Sequence, residues 1–263
     1  MRTDNITLEE TRFDGINNLE NYPSFHERHR IFPQIFENRK HGKILDIAAG
    51  MGVVGKKIKD SYNAEIICND VCPTCLEVMN KNGLTTTSFD IDENEKNFPY
   101  PDKHFNAIIA LATIEHLINT DHFVTEINRM LTDDGYLYLS APNYTGLMYL
   151  LPFLISGKTF HNPLKEDSKY EFYAHIRYFT FNTLIEYISS FGFIPEKVYL
   201  GIPETSTRYL NLYAKSKLKA FLFRNFMKYM YIMLPPRWAS EPVICFKKSN
   251  NIPEKLSYKK VVL

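Results

Sequence analysis

Short apolar runs at residues 44–47, 66–68 and 105–111, interrupted only by Asp46 and Asn106 and each too short for a helix, predict strands covered on both faces, since a strand with one wet face alternates apolar and polar positions. Helical patterns lie between them. The Lys-rich run at 56–59 reads as the solvated face of one helix, and residues 71–80 as the next, with Val71, Leu76 and Met79 turned inward and Gly83 as its stop. Upstream, Ser24 and Glu27 have the spacing of a capping box, opening a helix with Phe25, Phe32, Ile35 and Phe36 on its apolar face and Pro33 bending or restarting it. Downstream, Asp121 is placed to cap a helix to residue 131, Asp134 and Gly135 to turn, and 136–140 to alternate as a fifth strand. In the second half, residues 146–157 are apolar over a length that suits a buried or interfacial segment. Thr180 caps a helix whose inner face is Leu184, Ile185, Ile188 and Phe191, with Gly192 stopping it. Residues 193–200 and 242–246 complete the strands, and Pro195 argues for an edge position.

The stretch 43–70 carries the first chemistry. A strand runs into a turn holding Gly50, Gly52 and Gly55, a helix follows, and a second strand ends near Asp70. That is a βαβ nucleotide site, in which glycines let backbone approach a ligand and the acid accepts from both hydroxyls of a ribose. Read literally, residues 50–55 are a G-x-G-x-x-G, the signal of a nicotinamide or flavin dinucleotide. In that frame Asp46 would be an unpaired charge inside a strand buried on both faces, so the strand is expected to end there, with the carboxylate at the sheet edge where a ligand's ammonium group would meet it.

From Asp46 to Gly52 the chain resembles motif I of the class I S-adenosylmethionine-dependent methyltransferases, with Ala48 in place of the first glycine. Two further stretches are similar to the same family. Residues 98–108 match its F-P-x-P-D-x-x-F-D-x-I run with Asn106 for the usual acid, and Ile114, Glu115, His116 and Leu117 match the L-E-H segment that follows. The H-x-R-x-F-T at 175–180 and the following Gly192-Phe193 are shared with its ubiquinone-pathway and glycan-modifying members. The resemblance implies an α/β Rossmann-like fold: a seven-stranded, mostly parallel sheet with an antiparallel seventh strand inserted between the fifth and sixth, and helices on both faces. It implies S-adenosylmethionine as cofactor, held through Asp46, Ala48, Gly50, Gly52, Asp70 and Val71, through Asp90 and Ile91 at the adenine, and through Ala112 beside the transferred methyl. Tyr22, His26, Arg28 and Arg30 are candidates to face the methionine carboxylate. The whole chain is then one domain: an arm and cap helix at 1–40, a cofactor core at 41–143, an acceptor cover with the last two strands at 144–248, and a basic tail at 249–263.

Composition narrows the partners. A formal net charge of +1 over 263 residues gives no overall electrostatic footprint for nucleic acid. Four cysteines, unevenly placed, make neither a disulfide framework nor a zinc site, and with a polar amino terminus they point to a cytoplasmic protein. Methyl transfer to a hydroxyl benefits from a base near neutrality, which singles out His116 and His175 as catalytic candidates. Glu115, His116 and His175 partly resemble the magnesium site of small-RNA 2′-O-methyltransferases. Ala112 stands where a second carboxylate would, so no metal is expected. Tyr144, Met148, Phe153, Phe160, Tyr170, Phe172, Tyr173, Tyr178 and Tyr209 offer aromatic cover for a small-molecule or lipid-linked acceptor, methylated on oxygen. Residues 215–234 set Leu218, Phe221, Leu222, Met230 and Leu234 among Lys217, Lys219, Arg224 and Lys228, a pattern for a lid on the pocket or for peripheral contact with a membrane. Alternatives that the residues leave open are a non-catalytic scaffold keeping the fold, an NAD-dependent oxidoreductase and an RNA 2′-O-methyltransferase.

Overall fold

The computed structural model describes residues 10, 13, 15–22, 25–158, 161–164 and 166–263. Ser24 of the expected capping box and Phe160 of the expected cover lie outside the described residues. The strands are β1 (Lys43–Ile47), β2 (Glu65–Asn69), β3 (Thr85–Thr87), β4 (Phe105–Leu111), β5 (Leu131–Ser140), β6 (Phe193–Leu200), β7 (Val243–Lys248) and β8 (Lys259–Val262). They form one eight-stranded sheet in the order β3-β2-β1-β4-β5-β7-β6-β8. β1 to β5 pair in parallel, and β7 runs antiparallel between β5 and β6.

The helices are α1 (Glu27–Arg30), α2 (Val53–Ser61), α3 (Pro73–Lys81), α4 (Thr120–Met130), α5 (Leu147–Ser156), α6 (Glu166–Ala174), α7 (Phe181–Ser189), α8 (Thr207–Lys215) and α9 (Lys217–Met233). They cover the sheet on two faces because the strands are apolar on both. In β1, Leu45 and Ile47 enter the layer built with Phe123, Ile127, Leu184 and Ile188 of α4 and α7. Ile44 enters the opposite layer with Ile31, Phe36, Val54 and Ile58. Burying a Leu or Ile side chain contributes about 1.5–3 kcal/mol, so the two layers together hold the central strands between them.

Several details depart from the sequence reading. The tail is not all tail: β8 pairs in parallel with β6 from Lys197 to Leu200, so β6 is not an edge strand. Pro195 is tolerated because β8 begins opposite Lys197, and because the β6–β7 ladder shifts register between Pro195 and Lys197. Val71 lies before α3 and is 40% exposed, while Cys75, Val78 and Met79 face inward. Pro73 opens the helix at a position where a missing N–H costs nothing, which delays its start. The turn at 134–135 is absorbed into β5, whose pairing with β4 is irregular between Phe105 and Ala107. The segment 25–36 is split, as Pro33 restarts it as a 3-10 turn at Gln34–Phe36. Residues 207–233 form two helices broken at Ser216, whose side chain caps α9 by accepting from the Lys219 amide at 3.3 Å. The Thr180 cap is as expected, accepting from the Thr183 amide. Asn106 stands in for the family's acid by accepting from the Lys43 amide at 3.0 Å, a task an amide oxygen performs as well as a carboxylate.

Candidate active site

The carboxyl ends of β1, β2 and β4 open on a cavity of about 810 Å³. On its first side the chain leaves β1 through a left-handed turn, with φ of 51° at Ala48, 57° at Gly50 and 80° at Gly52. The two glycines there do different work. A Cβ at Gly52 would meet Leu84 Cδ1 at 2.5 Å and Met79 Cγ at 2.6 Å, whereas one at Gly50 would meet nothing within 4 Å because it points into the cavity. Gly52 is accordingly absent from the cavity lining, while Asp46, Ala48, Gly50, Asp70, Val71, Asp90, Ile91 and Ala112 belong to it. Asp70 braces the turn: its two carboxylate oxygens accept from the amides of Gly50 at 2.8 Å and Cys72 at 2.9 Å. Asp90 is held in a turn of its own, accepting from the Asp92 amide at 2.8 Å. Asp46 is the unsatisfied member. Oδ2 has no hydrogen-bond partner among the described residues, and burial, with the neighbouring Asp70 charge, pushes the carboxyl up to about 8.

The opposite side is assembled by a clamp between distant segments. The backbone oxygen of Glu115 accepts from the amides of Ile176 and Arg177 at 2.9 and 3.0 Å, and the Arg177 guanidinium donates to the carbonyls of Leu117 and Ile118 at 3.2 and 2.6 Å. The H-x-R segment is thereby tied to the E-H segment, and the rings of His116 and His175 stand 4.8 Å apart. His116 Nδ1 lies 3.0 Å from the Ala174 carbonyl. Glu115 is 1% exposed, both its carboxylate oxygens are unpartnered among the described residues, and burial pushes it up to about 8. Burial, reinforced by His116 and His161, pushes His175 down to about 3, so its imidazole is neutral at physiological pH.

Sequence reasoning named Tyr144 only as aromatic cover and missed His161 and Glu241. His161 is buried with its ring 5.0 Å from that of His175, and the Tyr144 hydroxyl lies 3.0 Å from His161 Nε2 and 3.3 Å from His175 Nδ1. Glu241 pairs with Arg28 and lies 3.4 Å from His26 Nδ1, and the Arg28 guanidinium, with the His26 ring beside it, holds its carboxyl well below the usual range. No local motif marks either residue, because their partners are remote in the chain. Tyr22, His26 and Arg28 do line the cavity, but Arg30 turns away to Glu27 and to the carbonyls of Ile202 and Leu263. Of the expected cover, Met148, Tyr170 and Tyr209 line the cavity, joined by Tyr149, Phe223, Met227 and Tyr231. Phe153, Phe172, Tyr173 and Tyr178 are exposed instead.

The donor atoms of Glu115, His116 and His175 come within 4.8 Å of one another. One carboxylate and two imidazoles form a poor cage for an oxygen-seeking ion such as magnesium. The first side of the cavity fits S-adenosylmethionine better than it fits a dinucleotide. β1 does not end at Asp46 as expected but runs on to Ile47, so the acid sits one residue inside the strand; its unpaired Oδ2 suits a ligand's ammonium group, and the open space at Gly50 admits a ligand against the backbone.

A strand order with β7 antiparallel between β5 and β6, and a turn of this kind at its carboxyl edge, define a class I methyltransferase. The profile of the methyltransferase domain matches residues 18–197, and the chain belongs to that family, as an S-adenosylmethionine-dependent enzyme. Solved structures agree on the fold. One is a SAM-dependent methyltransferase, possible histamine N-methyltransferase, from Thermotoga maritima (14% identity, 86% of this chain and 90% of that one, TM-score 0.56). Another is a SAM-dependent methyltransferase from Archaeoglobus fulgidus (17% identity, 92% and 99%, TM-score 0.54). A third is Haemonchus contortus phosphoethanolamine N-methyltransferase 2 in complex with S-adenosyl-L-methionine (17% identity, 93% and 57%, TM-score 0.55). No curated protein matches the chain by sequence.

Proposed function

We propose that the enzyme methylates an oxygen of a small-molecule, sugar or lipid-linked acceptor, in the manner of the ubiquinone-pathway and glycan-modifying members of the family. The observation that carries this reading is the pair of imidazoles, His116 and His175, facing the same cavity as Asp46, Gly50 and Asp70. S-adenosylmethionine supplies an electrophilic methyl on a sulfonium. The protein's own tasks are to bind, to exclude water and to manage the acceptor's proton. An amine can attack with its lone pair, whereas a hydroxyl gains from losing its proton. With Nδ1–H donating to the Ala174 carbonyl, His116 carries its lone pair on Nε2, 3.9 Å from Glu115 Oε1, and a charge gained on the ring would favour the ionised form of that carboxyl. His175 holds its place beside it as a neutral ring. The apolar and aromatic lining from Met148, Tyr149, Phe223, Met227 and Tyr231 suits rings and chains better than a polyanion, which would call for a basic track.

Two measurements test the reading. His116→Ala and His175→Ala should lower kcat by on the order of a hundredfold or more while leaving S-adenosylhomocysteine affinity unchanged, and chelation with EDTA should leave the rate unchanged. Extracts incubated with methyl-labelled cofactor, separated into lipid, polar-metabolite and RNA fractions, should carry label in the first or second. Label confined to RNA would overturn the acceptor class.

A further inference from the structure

We propose that α9, supported by α8, is a docking surface for an anionic lipid bilayer. The argument begins with a helix that is apolar on two opposite sides. Phe223, Met227 and Tyr231 are spaced four residues apart and line the cavity. Advancing about 100° per residue, Leu218, Phe221, Leu222, Tyr229, Ile232 and Met233 fall on the other side, and all six are more than half exposed. Leu218 is 67% exposed and Ala220 is the helix's one buried residue. A helix serving only as a lid would be polar on its outer face.

The charge pattern identifies what covers that face. Residues 207–234 contain six Lys and Arg and no Asp or Glu. On the helical wheel Lys217, Arg224 and Lys228 follow one flank of the outer apolar stripe and Lys219 the other. Long basic side chains flanking an apolar, aromatic-rich stripe are the arrangement of a helix lying in a membrane interface, where the stripe enters the acyl boundary and the cations reach the headgroups. Arg224 also lies 3.7 Å from Glu204, an acid outside the helices. A second copy of the chain would bring the same cations against themselves, so a self-complementary contact through this face is disfavoured by charge. Neighbouring helices extend the surface. Leu210 and Tyr213 of α8 are exposed, and Leu151, Phe153, Leu154 and Ile155 at the end of α5 are exposed up to 82%. α5 and α8 meet where Arg208 approaches the Met148 sulfur at 3.2 Å. No described helix is long and apolar enough to cross a membrane, so contact through these helices is peripheral.

The inner face of α9 roofs the cavity while its outer face meets lipid, so a bilayer-resident acceptor would reach the site along the helix that anchors the enzyme. This last step rests on the acceptor class proposed above; lipid binding itself does not.

The full chain is tested by co-sedimentation with sucrose-loaded vesicles of phosphatidylcholine, with and without phosphatidylglycerol. Binding is expected to the phosphatidylglycerol vesicles and to weaken with added salt. Lys217→Gln, Lys219→Gln and Lys228→Gln combined should weaken it by on the order of a hundredfold. Phe221→Glu with Leu222→Glu should abolish it. S-adenosylhomocysteine affinity, measured by calorimetry on the same preparations, should be unchanged in both variants, which separates lost docking from lost folding. Failure to pellet with phosphatidylglycerol vesicles at low salt would overturn the proposal, as would pelleting that neither variant affects. A lipid-free dimer that Phe221→Glu with Leu222→Glu dissociates would overturn it too, assigning the face to a second copy.

Discussion

Ala48 occupies a left-handed conformation, φ 51°, in the place where the family's motif has glycine. A Cβ in that region costs about 1 kcal/mol or more. Ala48→Gly is therefore expected to stabilise the protein by about 1 kcal/mol, raising the melting temperature by roughly 2–4 °C in a scanning experiment. Asp46 makes a second residue-scale prediction. Burial raises its carboxyl from 3.8 to about 8, so between those values the folded protein keeps a proton that the unfolded chain gives up, and stability from this group falls as pH rises through that window. A ligand cation beside it favours the ionised form. Binding of S-adenosylhomocysteine at pH 7 should then release a proton, and affinity should rise with pH until about 8 and level off above it. Calorimetry in two buffers of different ionisation enthalpy reads the release, and Asp46→Asn should remove the buffer dependence.

The Gly-rich turn, as an element, joins two requirements that a motif string does not distinguish. Gly50 is needed for its backbone angle and for open space toward a ligand, Gly52 for its angle and for contact with Leu84 and Met79. Gly52→Ala is expected to destabilise by roughly 2–4 kcal/mol in urea unfolding, combining overpacking with left-handed strain. The turn was legible because its residues are contiguous. The second half of the site is built otherwise: the Glu115 carbonyl and the Arg177 guanidinium join segments about 60 residues apart. The motifs E-H and H-x-R could be read separately. That they clamp one another, and bring His161 and Tyr144 with them, follows from hydrogen bonds that no local pattern encodes.

For the molecule as a whole, the eight-stranded sheet is a rigid platform with its cofactor-side residues at the carboxyl edge of β1, β2 and β4 and a helical cover contributed by the chain beyond β5. A ligand that binds only the folded state adds about 2.7 kcal/mol at a hundredfold excess over its Kd. S-adenosylhomocysteine at that concentration should raise the melting temperature by several degrees, roughly 5 °C or more, and NAD should not. The cavity is accordingly walled on one side by strand ends and a tight turn, and on the other by helices.

Strand periodicity, the Asp46-to-Gly52 turn and the cap at Thr180 are local properties, and the sequence by itself determined the sheet's inner strands; the cap expected at Asp121 is overturned, since the helix starts at Thr120 with Asn119 before it and Asp121 in its first turn. Three things waited on tertiary structure. β8 emerged from an apparent basic tail because its short run, Lys259–Val262, becomes a strand only when β6 offers it an unpaired edge. Gly52 lies off the cavity lining, with Leu84 and Met79 packed where a side chain would be. The two-sided character of α9 was hidden in a sequence whose apolar residues looked like a single stripe, since burial against a pocket and exposure on the opposite face depend on what lies across the helix and not on its own periodicity.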